Sequence, residues 1–137
     1  MEVSFEYWNK LADQTVVISS LLAGFSITVI ANIIVSKSNT RISNIILGIS
    51  TLAACLFLIS IFAMTLVLLK TTPGYPFEVE EIEFRQARVI GSLTFFLGIA
   101  SLIAMISLSG WTKSKKMGWL TTVLGIVTSI LVIIVLN

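Results

Sequence analysis

Histidine does not occur in this chain, cysteine occurs once, proline twice, and charged residues make up only 12% of it. Each scarcity removes a class of function. With no histidine, and with all 7 acidic residues outside the long apolar stretches, no metal constellation can be assembled within one chain. A Cys–His or Ser–His nucleophile is excluded by the same absence. Cys55 stands alone, so no intrachain disulfide can form. Gly91 and Gly98 lie inside an apolar run rather than on a loop after a strand, which removes a phosphate-cradling glycine loop. Glu78, Glu80, Glu81 and Glu83 cluster but are not read as catalytic. No enzymatic activity and no cofactor are expected. No basic run is longer than KSKK at 113–116, so a nucleic-acid partner is not expected either.

The scarcity of charge has a complement. The chain is 56% hydrophobic with a mean hydropathy of +1.02, whereas about a quarter of a soluble domain is charged. A bilayer core about 30 Å thick is crossed by roughly 20 apolar residues in a helix. Four uncharged stretches reach that length: Gln14–Ser36, Ile42–Leu69, Val89–Trp111 and Met117–Asn137. The expected fold is all-α, a single four-helix membrane domain over residues 1–137, built from antiparallel hairpins in the cell membrane. The opening MEVSFEYWNKLADQ is polar and acidic rather than basic, so the first span is expected to be retained rather than cleaved.

Two connections are short, SKSNTR at 36–41 and GWTKSKK at 110–116. The third, KTTPGYPFEVEEIEFRQAR at 70–88, holds both prolines, Pro73 and Pro76, with Gly74 between them, and these end the second helix. Its second half has helical character, with Glu81 and Arg85 at i,i+4 spacing, and is expected to extend the third helix into water or along the interface. Glu78, Glu80, Glu81, Glu83, Arg85 and Arg88 are the candidate contacts for a soluble regulatory partner. The short loops carry Lys37, Arg41, Lys113, Lys115 and Lys116, and the other side carries Lys10, Lys70, Arg85 and Arg88. By the positive-inside rule this leans towards both termini outside. Tyr7, Trp8, Tyr75, Phe77, Trp111 and Trp119 fall at the ends of the spans, as an aromatic belt requires.

Small residues at i,i+3 and i,i+4 spacing let membrane helices approach closely. Gly48, Thr51 and Cys55 form such a stripe in span two. Gly91, Thr94, Gly98 and Ser101 do so in span three, and Gly118, Thr122, Gly125 and Ser129 in span four. All three are read as packing faces. In span one, SLLAGFSITVIANIIV (20–35) places Ser20, Gly24, Thr28 and Ala31 on one face, with Asn32 beside its end and Leu21 and Val35 flanking it. Asn32 is the most polar residue in any span, and burying an amide in hydrocarbon without a partner costs several kcal/mol on alkane scales. Three readings are open for this stripe: packing within the protomer, self-association, or the lining of a water-filled pore. The spans contain no ionisable group of the kind that coupled transporters keep inside the membrane.

The run SLLAGFSITVIANI resembles the pore-lining first helix of the Orai calcium channels, where a Leu-Leu-Ser-Gly-Phe segment precedes the filter glutamate at fixed spacing. Setting Gly24 and Phe25 on that Gly-Phe pair puts Asn32 at the filter position, Thr28 at the hydrophobic gate and Leu21 at an apolar pore position. The resemblance implies four spans, a helical extension into the third, cytosolic termini and a first helix lining the pore. Asparagine in place of glutamate removes the anionic ring that favours divalent cations. The family's basic segment before the pore helix is also missing, since Lys10 is the only positive charge before span one.

The expectation is therefore a ring-shaped homo-oligomer in the lipid bilayer that forms a channel or pore, with Leu21, Gly24, Thr28, Asn32 and Val35 as pore-lining candidates. The alternative is a non-conducting anchor or assembly subunit that docks a soluble protein through its polar loops.

Overall fold

The computed structural model describes residues 4–36, 39–77 and 79–136. Among them the chain forms four long helices, α1 (Phe5–Val35), α2 (Arg41–Thr71), α3 (Glu81–Ser109) and α4 (Lys115–Leu136), with a short 3-10 helix at Gly110–Thr112 and no strands. Local chemistry sets their ends. The Ser4 hydroxyl accepts from the Tyr7 N–H at 3.3 Å, and the Thr40 hydroxyl accepts from the Ser43 N–H at 3.2 Å. Each satisfies one of the amides that a helix start leaves open. Ser114 does the same for Met117 at 3.2 Å. Thr71 ends α2 ahead of Pro73 and Gly74, whose φ of 89° is a conformation that glycine adopts without penalty. Glu81 and Glu83 occupy the first turn of α3, where negative charge suits the helix dipole.

All four helices are long and apolar enough to cross a membrane. Even the shortest, α4 with 22 residues, reaches about 33 Å, against a hydrocarbon core of roughly 30 Å. The helices extend past the charge-free stretches: α1 begins before Gln14 and carries Tyr7 and Trp8 within its first turns.

The helices do not close into a bundle. They stand in a row, α1 against α2, α2 against α3, and α3 against α4, with α1 meeting α3 only briefly. Among the described residues α4 touches neither α1 nor α2. Asn9 near the start of α1 bonds to Thr71 at the end of α2, and Ser19 bonds to Ser60 near the middle of both. Lys70 at the end of α2 pairs with Glu83 at the start of α3.

Two buried clusters hold the first three helices. One contains Ala23, Ile46, Ala53, Phe57, Leu102 and Met105. The other contains Ala12, Met64, Val67 and Phe84. Phe57 is fully buried because Gly98 faces it: a Cβ at position 98 would lie 2.8 Å from the Phe57 ring. Gly91 receives Met64 and Ala63 in the same way, and Gly125 receives Ser107 across the α3–α4 contact. The small-residue stripes of spans three and four therefore pack on their glycines.

Two expectations need correction. The stripe Gly48, Thr51 and Cys55 is exposed, with open space around Gly48. The packed side of α2 is instead Ser43, Ile46, Ser50, Ala53, Ala54 and Phe57, which can serve two neighbours at once. The expected extension of the third helix is present, since α3 begins at Glu81; its first turns also pack on the chain, with Phe84 fully buried and 5.9 Å from the Phe5 ring. Glu81 pairs with Arg88 at 2.7 Å rather than with Arg85. Two turns separate Glu81 and Arg88, and the reach is possible because Arg88 is already drawn against Trp8.

Gly98→Leu should destabilise the α2–α3 pair by about 1–3 kcal/mol, because nothing around Phe57 can yield without a rotamer change. Gly24→Leu should not lower protomer stability, since nothing lies within 4 Å of the added Cβ and leucine favours a helix interior over glycine. Thermal unfolding of the two variants in the same detergent checks both expectations.

Candidate functional site

The face of α1 that packs within the chain is Ala12, Thr15, Ser19, Ala23 and Ser26. The stripe Ser20, Gly24, Thr28 and Ala31 is one residue further on, rotated by about 100° on a 3.6-residue helix. It is exposed throughout. Packing within the protomer, the first of the three readings, is therefore excluded for this stripe. Leu21 and Val35 are 71% and 79% exposed, and Asn32 is exposed as well.

The polar groups on this face differ in what they need. The Ser20 hydroxyl donates to the Val16 carbonyl at 2.8 Å and the Thr28 hydroxyl to the Gly24 carbonyl at 2.9 Å. Both are satisfied within the helix and tolerate an apolar neighbour. The Asn32 amide has two donors and an acceptor, and its side chain makes no hydrogen bond among the described residues. Asn32 is thus left exposed, where water, a headgroup or another chain can meet its amide. The pore-lining candidates Leu21, Gly24, Thr28, Asn32 and Val35 all lie on α1, outside its packed face.

A polar cluster occupies the opposite end of α1. The Asn9 amide donates to the Leu68 carbonyl at 3.2 Å and to the Thr71 and Thr72 hydroxyls at 3.1 and 3.3 Å. The Arg88 guanidinium stacks on the Trp8 ring at 4.1 Å and bonds to Glu81 at 2.7 Å. The Trp8 indole nitrogen is buried without a partner among the described residues, and a guanidinium above it has no acceptor to offer. Lys70 bonds to Glu83 at 2.9 Å. Lys10, bonded to Glu6 at 2.9 Å, lowers the Glu6 pKa below its ordinary value, first by that hydrogen bond and then by its charge. That pair contributes at neutral pH and is lost as pH falls through the lowered Glu6 value.

Of the partner-docking candidates, Glu81, Glu83 and Arg88 are thus engaged within the chain. Glu80 and Arg85 are exposed, and Glu78 lies outside the described residues. Among the described residues no group of three or more His, Cys, Asp or Glu side chains could hold a metal ion.

Sequence reading missed Asn9 and the Trp8–Arg88 stack. Asn9 lies before the first apolar stretch, where no spacing pattern marks it, although an amide near a span end is a natural tie between helices. No family model, curated protein or solved structure matches the chain.

Arg88→Gln should remove the stack and weaken the seat of the first turns of α1 by about 1 kcal/mol. In a double-mutant cycle with Trp8→Leu, detergent unfolding should show most of that loss as coupling. Additive losses would assign Arg88 to Glu81 alone.

Proposed function

We propose that the protein spans the bilayer four times, with successive helices antiparallel, and assembles into a homo-oligomeric ring whose first helices line an ion pathway. The observation that carries this reading is the outward face of α1. Gly24, Thr28 and Asn32 are exposed on the protomer, and the Asn32 amide has no partner among the described residues. In hydrocarbon such a group is costly, whereas beside water or a second chain it is satisfied.

Four helices in a row cannot enclose an aqueous path, so conduction requires several copies. In a ring, Asn32 supplies amide dipoles near one mouth and Thr28 supplies a hydroxyl ring deeper in. Leu21 and Val35 act as apolar constrictions that gate by dewetting. Without carboxylates the pathway carries no fixed negative ring, so a divalent preference is not part of the proposal. The internal pairing of Glu81, Glu83 and Arg88 supports a structural role for these groups rather than the docking of a soluble protein.

Purified protein in liposomes should pass monovalent ions, and Asn32→Ala should change unitary conductance or ion preference several-fold. Leu21→Ser should raise the open fraction. Absence of flux at any voltage, together with a strictly monomeric mass in detergent, would replace the pore with a non-conducting anchor.

A further inference from the structure

Two apolar hollows flank α3 at the same depth. One, of about 410 Å³, lies between α3 and α4 and is walled by Phe96, Ile103 and Ser107 on one side and Gly125, Val132 and Ile133 on the other. The second, of about 420 Å³, lies between α2 and α3, with Ile49, Leu52 and Leu56 facing Leu97. Ala100 and Ala104 line both, so α3 forms a low ridge between them. The serine hydroxyls of the first hollow are spent on their own helices, Ser107 on the Ile103 carbonyl at 2.8 Å and Ser129 on the Gly125 carbonyl at 2.9 Å. These walls offer nothing to a polar ligand.

Length and charge identify the occupant. From Phe96 to Ser107, at about 1.5 Å per residue, the first hollow runs roughly 16 Å, half of a hydrocarbon core of about 30 Å. That is the depth of one leaflet and the reach of one acyl chain. Basic residues gather at the end where the hollows approach the surface. Arg41 opens α2, and Lys113, Lys115 and Lys116 follow α3, all exposed. The Ser50 hydroxyl on the Met105 sulfur, at 2.9 Å, sets the start of α2 beside the end of α3. None of these four cations has a carboxylate partner among the described residues. At the other end of α3 the first turn carries Glu81 and Glu83 instead.

We propose that an anionic diacyl phospholipid of the surrounding bilayer straddles the Ala100–Ala104 ridge, one acyl chain in each hollow, with its phosphate towards Arg41 and the three lysines. The inference rests on the membrane-spanning reading above and is independent of conduction. Each surface lysine or arginine adds to the attraction for an anionic headgroup, and Trp111 and Trp119 stand at the level where indoles favour the interface.

The test is native mass spectrometry of the full chain in detergent, titrated with dioleoyl phosphatidylglycerol or dioleoyl phosphatidylcholine. One saturable phosphatidylglycerol adduct per protomer is expected, at roughly tenfold lower lipid concentration or better than phosphatidylcholine. Changing Arg41, Lys113, Lys115 and Lys116 together to Gln should abolish the preference and leave phosphatidylcholine binding unchanged. Ala100→Phe, at an exposed position, should weaken both lipids while keeping the preference. Should that variant fail to fold, the glutamine variant alone decides. Equal affinity for the two lipids in the unaltered chain, unchanged binding in the glutamine variant, or unchanged binding in a folded Ala100→Phe chain overturns the site. So does a second copy of the chain occupying the hollows, seen as a dimer that lipid cannot compete away. Alkaline carbonate separates the levels of failure. A chain stripped from membranes overturns the spanning reading itself, whereas a chain that stays without lipid preference overturns only the lipid site.

Discussion

The Ser60 hydroxyl stands where three helices converge. It lies 3.4 Å from the Ser19 hydroxyl on α1 and donates to the Gly91 carbonyl on α3 at 2.9 Å, and it is fully buried. Lipid gives no hydrophobic drive between helices, so close packing and such bonds must supply the association. Each is worth about 0.6 kcal/mol on average in a membrane, so the geometry they impose matters more than their sum. A glycine at position 91 leaves its carbonyl open to a neighbouring hydroxyl, and the serines need no room beyond a methyl's worth. From this contact follow the central place of α2, the two-sided burial of Phe57, and the row-like order of the helices.

The four long apolar helices were legible because a long run without charge leaves a chain few alternatives. The break at Pro73, Gly74 and Pro76 was legible for the same kind of reason, since each residue restricts the backbone by itself. The facing of α1 was not. Ser19, Ala23 and Ser26 recur at helical i+4 and i+3 steps and are small, just as Ser20, Gly24 and Thr28 are at i+4 steps. What separates them is on other helices: Ser60 offers an acceptor to Ser19, and no residue of this chain lies within reach of a Cβ at position 24. The Glu81 pairing failed similarly. Helical spacing permits both Arg85 and Arg88, and only the ring of Trp8, near the start of α1, selects between them. Patterns within one helix fix its existence; partners in other helices fix its orientation.

Polar chemistry is distributed unevenly along the molecule. The end that holds Asn9, Trp8, Arg88 and the acidic turn of α3 is cross-tied by side-chain bonds between three helices. At the opposite end Arg41, Lys113, Lys115 and Lys116 are exposed, and the tie of α3 to α4 depends on small residues, with the Thr121 hydroxyl reaching the Ser107 carbonyl at 2.9 Å and the Trp111 indole donating to Thr122 at 3.0 Å. One end is thus braced and the other is open.

A row of helices, unlike a closed bundle, has edges, and here the edges are unlike. One is α1, with its amide and its small-residue stripe; the other is α4, apolar nearly all round. Copies that meet edge to like edge are finished after two. Copies that meet α1 to α4 repeat the same joint, and the repeat closes only if the turn between successive copies divides a full circle; otherwise it grows as a strip. The number of subunits in any closed assembly joined in this way is therefore a property of the angle between the two edges of one chain, set by how the helices in between pack on Phe57 and on the glycines of α3.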